Sequence, residues 1–322
     1  MKRNSKILVT ILLLPAMIAE LLSGSSPPLE FFNPVSFLFW VLLYGCGVLL
    51  IREARVRWGM QWSVVFPAIA YGIIEEGLTT KAMFNIHWVD VGIYAQYGTI
   101  FGALIPWSIV LLTFHTTLST LIPIMIIDLT WPEYKQRPLL GRKGLFFTVM
   151  GFILIVILGF ITMGTLTDSG MIAFYPHPLL IIGSLISIAI LIFLGYKLRK
   201  TRIITENRIF SPGLFSVFAF LFMLAFAVVP HQLAENNISQ SGIVVYQILI
   251  ISAAFVFTAS QIFNVHVRVT HLVHLVFGSL LFWSLQGVFL EFQGYKAMSL
   301  VGGGTIVLLL IWKKRVIKNS IQ

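Results

Sequence analysis

Long apolar stretches recur along the whole chain, and they constrain its fold more than any other feature. Most run for about 17 to 25 residues, enough to cross the roughly 30 Å of hydrocarbon in a bilayer. Because lipid offers the backbone no hydrogen-bond partners, segments of this kind must be helices. We predict ten of them, near residues 7–23, 35–51, 62–84, 99–127, 145–166, 178–196, 213–230, 242–264, 272–290 and 297–312. The expected fold is therefore an all-α, polytopic transmembrane bundle, with residues 1–322 forming a single transmembrane domain.

Charge content excludes a soluble globular protein. Only 11% of the 322 residues are charged, whereas soluble chains carry about 25%. The formal net charge of +10 would suit a nucleic-acid partner, but the basic residues sit in short clusters between the apolar stretches. Such clusters are typical of membrane orientation. The expected partner is the lipid bilayer, with no nucleic acid.

The positions of the basic residues also predict the topology. With ten spans, 20 of the 22 Lys and Arg residues fall on one side of the membrane, and only Lys81 and Lys296 fall on the other. Basic residues accumulate on the cytoplasmic side. We therefore expect a multi-pass protein of the cell membrane, with both termini in the cytoplasm.

Ionisable residues inside the apolar stretches are the candidates for chemistry, since each costs about 3 kcal/mol to insert. Glu20 lies late in the first stretch, Glu75 and Glu76 lie deep in the third, and His115 lies in the middle of the fourth. Counted from the cytoplasmic side at 1.5 Å per residue, Glu20, Glu75 and His115 all lie at a depth of roughly 18 to 20 Å. The sequence therefore predicts one polar level in the bundle, somewhat toward the outer leaflet.

Adjacent Glu75 and Glu76 point about 100° apart on an α-helix, so we expect one to face a cavity and the other a neighbouring helix. Two close carboxylates rarely both ionise in a low dielectric, and the one that exchanges a proton could serve as a general base or a proton carrier. The predicted catalytic residues are Glu75, Glu76 and His115. Predicted substrate contacts are Glu20, Gly72, Gly77 and Ser119, the glycines because they leave room for a helix, water or substrate.

No metal or other cofactor is assigned from the sequence. His266, His271 and His274 form a cluster that is either a metal site or, more commonly, an interfacial face of a helix. Cys46 is the single cysteine, which excludes an intrachain disulfide and a CxxC metal site.

Several motifs resemble a family of uncharacterised polytopic prokaryotic membrane proteins. The matching stretches are ELLSGSSPPLEFFNP, LLIREARVRWG, AYGIIEEGLTTKAMFN and FHTTLSTLIPI, all within the first 130 residues. This resemblance implies no particular activity.

A Glu-Glu pair followed about 40 residues later by an intramembrane histidine is also similar to the CAAX-protease and bacteriocin-processing intramembrane proteases. That resemblance implies a glutamate that activates water and a histidine that assists at the scissile carbonyl. The chain departs from the family's motifs at two places. Thr80 stands where the first motif, EExxxR, has its arginine, and Leu111 stands where the second, FxxxH, has its phenylalanine. A third motif at matching depth is missing.

Three functions remain open from the sequence. The first is a glutamate-type intramembrane hydrolase acting on a membrane peptide. The second is a proton-coupled transporter of a small solute that uses the same Glu pair. The third is a non-catalytic membrane scaffold in which the polar cluster is structural.

Overall fold

Ten principal helices follow one another in the computed structural model, which describes residues 3–167 and 170–321. They are α1 (Asn4–Leu22), α2 (Pro34–Trp58), α3 (Val65–Ile73, continued by Ile74–Thr79), α4 (Ile105–Thr130), α5 (Arg142–Thr162), α6 (Pro178–Lys197), α7 (Pro212–Glu235), α8 (Gln240–Ile262), α9 (Val269–Phe292) and α10 (Met298–Ile321). Within the described residues, eight of these helices are long and apolar enough to cross a membrane, and α3 and α10 are the other two.

Short elements connect the principal helices. A one-turn helix covers Pro28–Phe31, and 3₁₀ turns cover Trp62–Val64, Gly92–Tyr97 and Pro132–Tyr134. One antiparallel hairpin, Gly164–Thr167 with Gly170–Ala173, lies between α5 and α6 and was not predicted. The all-α helical bundle is otherwise confirmed.

Five helix boundaries differ from the predicted ones by five or more residues. Three helices continue past the predicted ends at residues 51, 230 and 312, since α2 ends at Trp58, α7 at Glu235 and α10 at Ile321.

The other two boundaries lie on either side of the segment between α3 and α4. Helix α3 ends at Thr79 rather than near residue 84, and Lys81 then adopts a left-handed backbone with φ of +62°. Helix α4 begins at Ile105 rather than near residue 99, because Gly98 and Gly102 form a turn at positive φ and Pro106 occupies the first helical turn. Apolar residues in these turns extended the hydrophobic stretches beyond the helices themselves.

The bundle has a central set of helices and a peripheral set. Half or more of the most apolar part of α1, α2, α4 and α9 is buried, against 11% for α5 and α6. Helices α5 and α6 therefore present most of their apolar surface to lipid, and the interior belongs to the central set.

Glycines allow close contact between pairs of helices in the bundle. A Cβ added at Gly45 of α2 would lie 2.4 Å from the carbonyl oxygen of Leu12 in α1. A Cβ at Gly278 of α9 would lie 2.1 Å from the carbonyl oxygen of Ser216 in α7. Neither position can hold a larger residue without separating two helices.

An ionic cluster fixes the end of α2 to the loop before α5. The Arg52 guanidinium donates hydrogen bonds to the carbonyls of Tyr134 and Arg137, and the Glu53 carboxylate accepts one from the backbone N–H of Leu139. Arg52 and Glu53 are both buried, so the loop lies firmly against α2.

Candidate functional site

Glu75, Glu76 and His115 meet where α3 packs against α4. Nε2 of His115 lies 2.7 Å from Oε1 of Glu76, at hydrogen-bond distance. Nδ1 lies 3.1 Å from the hydroxyl of Ser119 in a second hydrogen bond. Oε2 of Glu75 is 3.0 Å from the same Nδ1, but it is out of line for a hydrogen bond. The structure thus brings together the three residues that the sequence singled out as catalytic.

Three π-helical segments carry the site. Met17–Leu22 holds Glu20, Ile74–Thr79 holds the Glu pair, and His115–Leu121 holds the histidine and Ser119. Their wider turns change the directions of the side chains from those of an α-helix. Both carboxylates therefore reach one imidazole on the neighbouring helix α4, although one of them was expected to face a cavity.

The two carboxylates of the pair differ in how they are held. Glu76 has both oxygens engaged, because its Oε2 accepts a hydrogen bond of 2.7 Å from the hydroxyl of Thr80. Glu75 keeps an oxygen, Oε2, without a hydrogen-bond donor. The hydroxyl of Tyr71 lies beside Glu75 and is buried without hydrogen-bond geometry to any described group. Free hydrogen-bonding capacity in the site is therefore concentrated around Glu75.

Glu20 joins the site through Tyr44. The Tyr44 hydroxyl donates to Oε1 of Glu20 at 2.6 Å, and the Ser26 hydroxyl donates to Oε2 at 2.6 Å. The ring of Tyr44 stacks on the His115 imidazole, with centroids 6.1 Å apart and planes inclined by 28°. Glu20 therefore belongs to the same polar cluster, as its depth predicted, but reaches the histidine through an aromatic ring.

Sequence reasoning missed Tyr44, Tyr71 and Ser26. Tyr71 precedes Glu75 by four residues, so helical spacing alone could have placed it on the same face. No comparable signal exists for Tyr44, which comes from another helix, or for Ser26, which lies in the loop after α1.

Burial and charge set the electrostatics of the cluster. The exposed fractions are 6% for Glu20, 1% for Glu75, 7% for Glu76 and 2% for His115. Within the described part of the chain, the ion pairs of these carboxylates involve only His115, and none involves Lys or Arg. Lys81, the nearest basic residue in sequence, instead donates to the carbonyls of Phe160 and Met163 at 2.6 Å each.

The two predicted glycines lie against neighbouring helices. A Cβ at Gly72 would be 3.1 Å from Leu112 and 3.3 Å from the Cβ of His115, both in α4. A Cβ at Gly77 would be 3.2 Å from the Ser184 hydroxyl of α6. Gly72 thus lets α4 bring His115 to the Glu pair, and Gly77 lies under a peripheral helix.

The histidine cluster near the start of α9 makes separate contacts. Nδ1 of His271 accepts from the backbone N–H of Arg268 at 3.0 Å, Nδ1 of His274 pairs with the Ser216 hydroxyl at 3.0 Å, and His266 is exposed. These contacts fit helix capping and packing.

One group of side chains among the described residues has the spacing of metal ligands, and it is the site itself. One donor atom from each of Glu75, Glu76 and His115 lies within 4.8 Å of the others. All three residues are buried. The same atoms that could act on a water molecule could therefore also bind a cation.

Comparison with known proteins identifies a family. The model of an uncharacterised membrane protein family matches residues 8–301, well beyond the first 130 residues that carry the motifs quoted above. No curated protein and no solved structure matches the chain. The chain therefore belongs to this uncharacterised family of membrane proteins.

Proposed function

We propose that this protein is a membrane-embedded hydrolase that cleaves a peptide bond within the cell membrane. The observation that carries the proposal is the contact of 2.7 Å between Oε1 of Glu76 and Nε2 of His115, beside a Glu75 oxygen that lies 3.0 Å from Nδ1 of His115 but accepts no hydrogen bond. A carboxylate that orients an imidazole, next to a second carboxylate able to accept a proton, is the arrangement that hydrolysis requires.

Each side chain then has a role that follows from its contacts. Glu75 is the general base, because its Oε2 has no donor and can accept a proton from water. Glu76, whose two oxygens are engaged, holds the imidazole of His115 in place. Tyr71 offers an unused hydroxyl to the developing oxyanion, a role that preorganised donors fill in acyl transfer.

The reaction balances with water as the only co-reactant. The water oxygen forms a bond to the carbonyl carbon while its proton moves to Glu75, and the oxyanion accepts a hydrogen bond from Tyr71. The proton then passes by way of His115 to the leaving nitrogen. Collapse of the intermediate breaks the C–N bond as this nitrogen is protonated, which gives a carboxylic acid and an amine.

Substrate access in this proposal occurs beside α6. The Glu pair is enclosed, so a peptide reaches it only when helices separate. Helix α6 packs on α3 at the level of Gly77, and most of its surface faces lipid. Lateral displacement of α6 would open the pair to a transmembrane peptide arriving from the bilayer.

The test compares new peptide termini, identified by mass spectrometry, in membranes that contain the wild type or a variant. We expect Glu75→Gln and His115→Ala to abolish cleavage products that the wild type generates. Glu235→Gln is the matched control, since this carboxylate pairs with His231 but is about half exposed and remote from the site. Wild-type products that persist in both site variants would refute the proposal.

A second candidate function is a proton-coupled transporter of a small solute, and a specific observation favours it. The hydroxyl of Ser26, the carboxylate of Glu20 and the hydroxyl of Tyr44 form a hydrogen-bonded chain from the loop after α1. Tyr44 also lies beside Glu75, which extends the chain to the Glu pair. A transporter would acidify dye-loaded proteoliposomes in response to an imposed pH gradient, and Glu20→Gln would slow that flux, whereas a hydrolase would show neither effect.

A further inference from the structure

The polar cluster contains more acidic than basic side chains. Three carboxylates, those of Glu20, Glu75 and Glu76, surround a single imidazole, and no Lys or Arg pairs with them in the described structure. An uncompensated buried charge is very costly, so the site must take up either protons or another cation. A divalent ion would compensate two carboxylates at once.

The donor atoms are close to the spacing that a small cation imposes. Zn²⁺ bonds of about 2.0 to 2.1 Å place tetrahedral donors about 3.4 Å apart. Here one donor from each of Glu75, Glu76 and His115 lies within 4.8 Å of the others. Because Glu75 contacts Nδ1 and Glu76 contacts Nε2, a cation bound to one of these nitrogens would also need the other carboxylate to turn toward it.

A second observation points to a ligand at the same place. Tyr71 is 2% exposed, and its hydroxyl lies beside Glu75 without a hydrogen bond. Buried hydroxyls are almost always hydrogen-bonded, so an orphan one next to an orphan carboxylate oxygen indicates a missing polar partner. A water molecule on a bound cation would satisfy both.

We propose that Glu75, Glu76 and His115 bind one divalent transition-metal cation of the Zn²⁺ class, which leaves an open coordination position facing Tyr71. Two carboxylates and one imidazole supply three oxygen and nitrogen donors, the number of protein ligands in catalytic zinc sites, while Ca²⁺ and Mg²⁺ favour sites made of oxygen alone. This inference rests on the proposed hydrolase and changes one role in it. With Glu75 bound to the cation, the cation instead of Glu75 would ionise the water in the open position, and it would also polarise the carbonyl.

The experiment uses the full-length protein purified in detergent, stripped of metal and titrated with Zn²⁺ alone. We expect about one Zn²⁺ per chain by mass spectrometry of the metal and a rise in the unfolding temperature with Zn²⁺ concentration, since binding stabilises the folded state. The double variant Glu75→Gln, Glu76→Gln should weaken the affinity by more than about 100-fold, beyond the loss seen when only an outer-shell partner is removed. His115→Ala should do the same.

Control variants separate this site from adventitious surface binding. His231→Ala and His266→Ala remove exposed histidines and should leave the Zn²⁺ stoichiometry and affinity unchanged. Titration of the wild type with Co²⁺ gives a visible spectrum that reports coordination even if one site variant folds poorly. Zn²⁺ binding that survives the double variant, or disappears in the controls alone, would overturn the proposal.

Failure of the metal inference can be told apart from failure of the hydrolase. Peptide cleavage by chelator-treated protein with no Zn²⁺ bound would support a glutamate-type hydrolase and overturn the metal inference. Zn²⁺ bound at the Glu pair without any peptide cleavage would establish the metal site and rule out the proposed hydrolase activity. Infrared bands of protonated carboxyl groups at neutral pH in the stripped protein, unchanged by Zn²⁺, would show that protons compensate the charge instead.

Discussion

Tyr44 and Tyr71 flank the same imidazole but differ in what their hydroxyls do. Their rings lie 6.1 Å and 6.4 Å from that of His115, and both side chains are almost fully buried. The Tyr44 hydroxyl holds the Glu20 carboxylate, whereas the Tyr71 hydroxyl has no hydrogen bond. Substituting each tyrosine by phenylalanine therefore tests whether the Tyr44 hydroxyl is structural and whether the Tyr71 hydroxyl is available to a ligand.

We predict that Tyr44→Phe lowers the free energy of unfolding by about 1–3 kcal/mol, because a buried carboxylate loses a donor. Tyr71→Phe should leave stability nearly unchanged and reduce cleavage by about 100-fold or more, the loss typical of one oxyanion donor. Unfolding by SDS in mixed micelles measures the first effect, and product formation measures the second. Equal stability losses in the two variants would contradict the assignment and favour a structural polar cluster.

At this scale the sequence predicted the ionisable members of the site and little of their arrangement. Glu20, Glu75, Glu76 and His115 were identifiable because a charge within an apolar stretch is costly. Tyrosines carry no such signal, since aromatic rings are ordinary in membrane helices. The contact of both carboxylates with one imidazole depends on the π-helical turns, which α-helical spacing does not predict.

At the scale of elements, Lys81 is the residue whose role differs most from its appearance in the sequence. It lies one position beyond the place of the motif arginine, yet its ammonium group contacts three carbonyls at the end of α5, those of Gly159, Phe160 and Met163. The last carbonyls of a helix lack partners within it and carry partial negative charge. Lys81 therefore caps α5 and connects it to α3.

Lys81→Met should lower the free energy of unfolding by about 1–3 kcal/mol, because it leaves buried carbonyls without a donor. Lys296→Met is the control, since this lysine is exposed and should change stability by less than about 0.5 kcal/mol. The same SDS titration measures both variants. If Lys81→Met unfolds like the control, the cap contributes nothing to stability.

Most helix boundaries were predictable within about four residues because hydropathy reports burial in lipid directly. The boundaries of α3 and α4 were not, because the segment between them contains apolar residues such as Ile100 and Phe101 in turns. The hairpin after α5 was missed for a related reason, since four-residue strands between two long apolar stretches leave almost no periodic pattern.

At the scale of the molecule, the topology is the prediction that depends most on the ten-span interpretation. Two positions can test the topology. Ser25 follows the first helix, and Ser320 lies near the end of the last one. Cys46 is buried in α2, so the native chain offers a low background for thiol labelling.

Ser25→Cys should react with a membrane-impermeant maleimide in intact cells, and Ser320→Cys should react only after permeabilisation. The reason is the accumulation of basic residues on one side, which predicts that the carboxyl end lies in the cytoplasm. Gel-shift detection of the labelled chain measures both, with the native protein as the blank. Labelling of Ser320→Cys in intact cells would contradict the predicted ten-span topology.

The π-helical segment of α3 also makes the length of the chain around the Glu pair critical. A π-helical turn amounts to an α-helix with one residue inserted, so deleting one residue from Ile74–Thr79 would restore regular winding. Residues beyond the deletion would keep nearly their present phase, but the wider turn would be lost. The directions of Glu75 and Glu76 within the turn would then change, so that the two carboxylates would no longer reach one imidazole. Homologous chains should therefore tolerate substitutions in this segment far better than single-residue insertions or deletions.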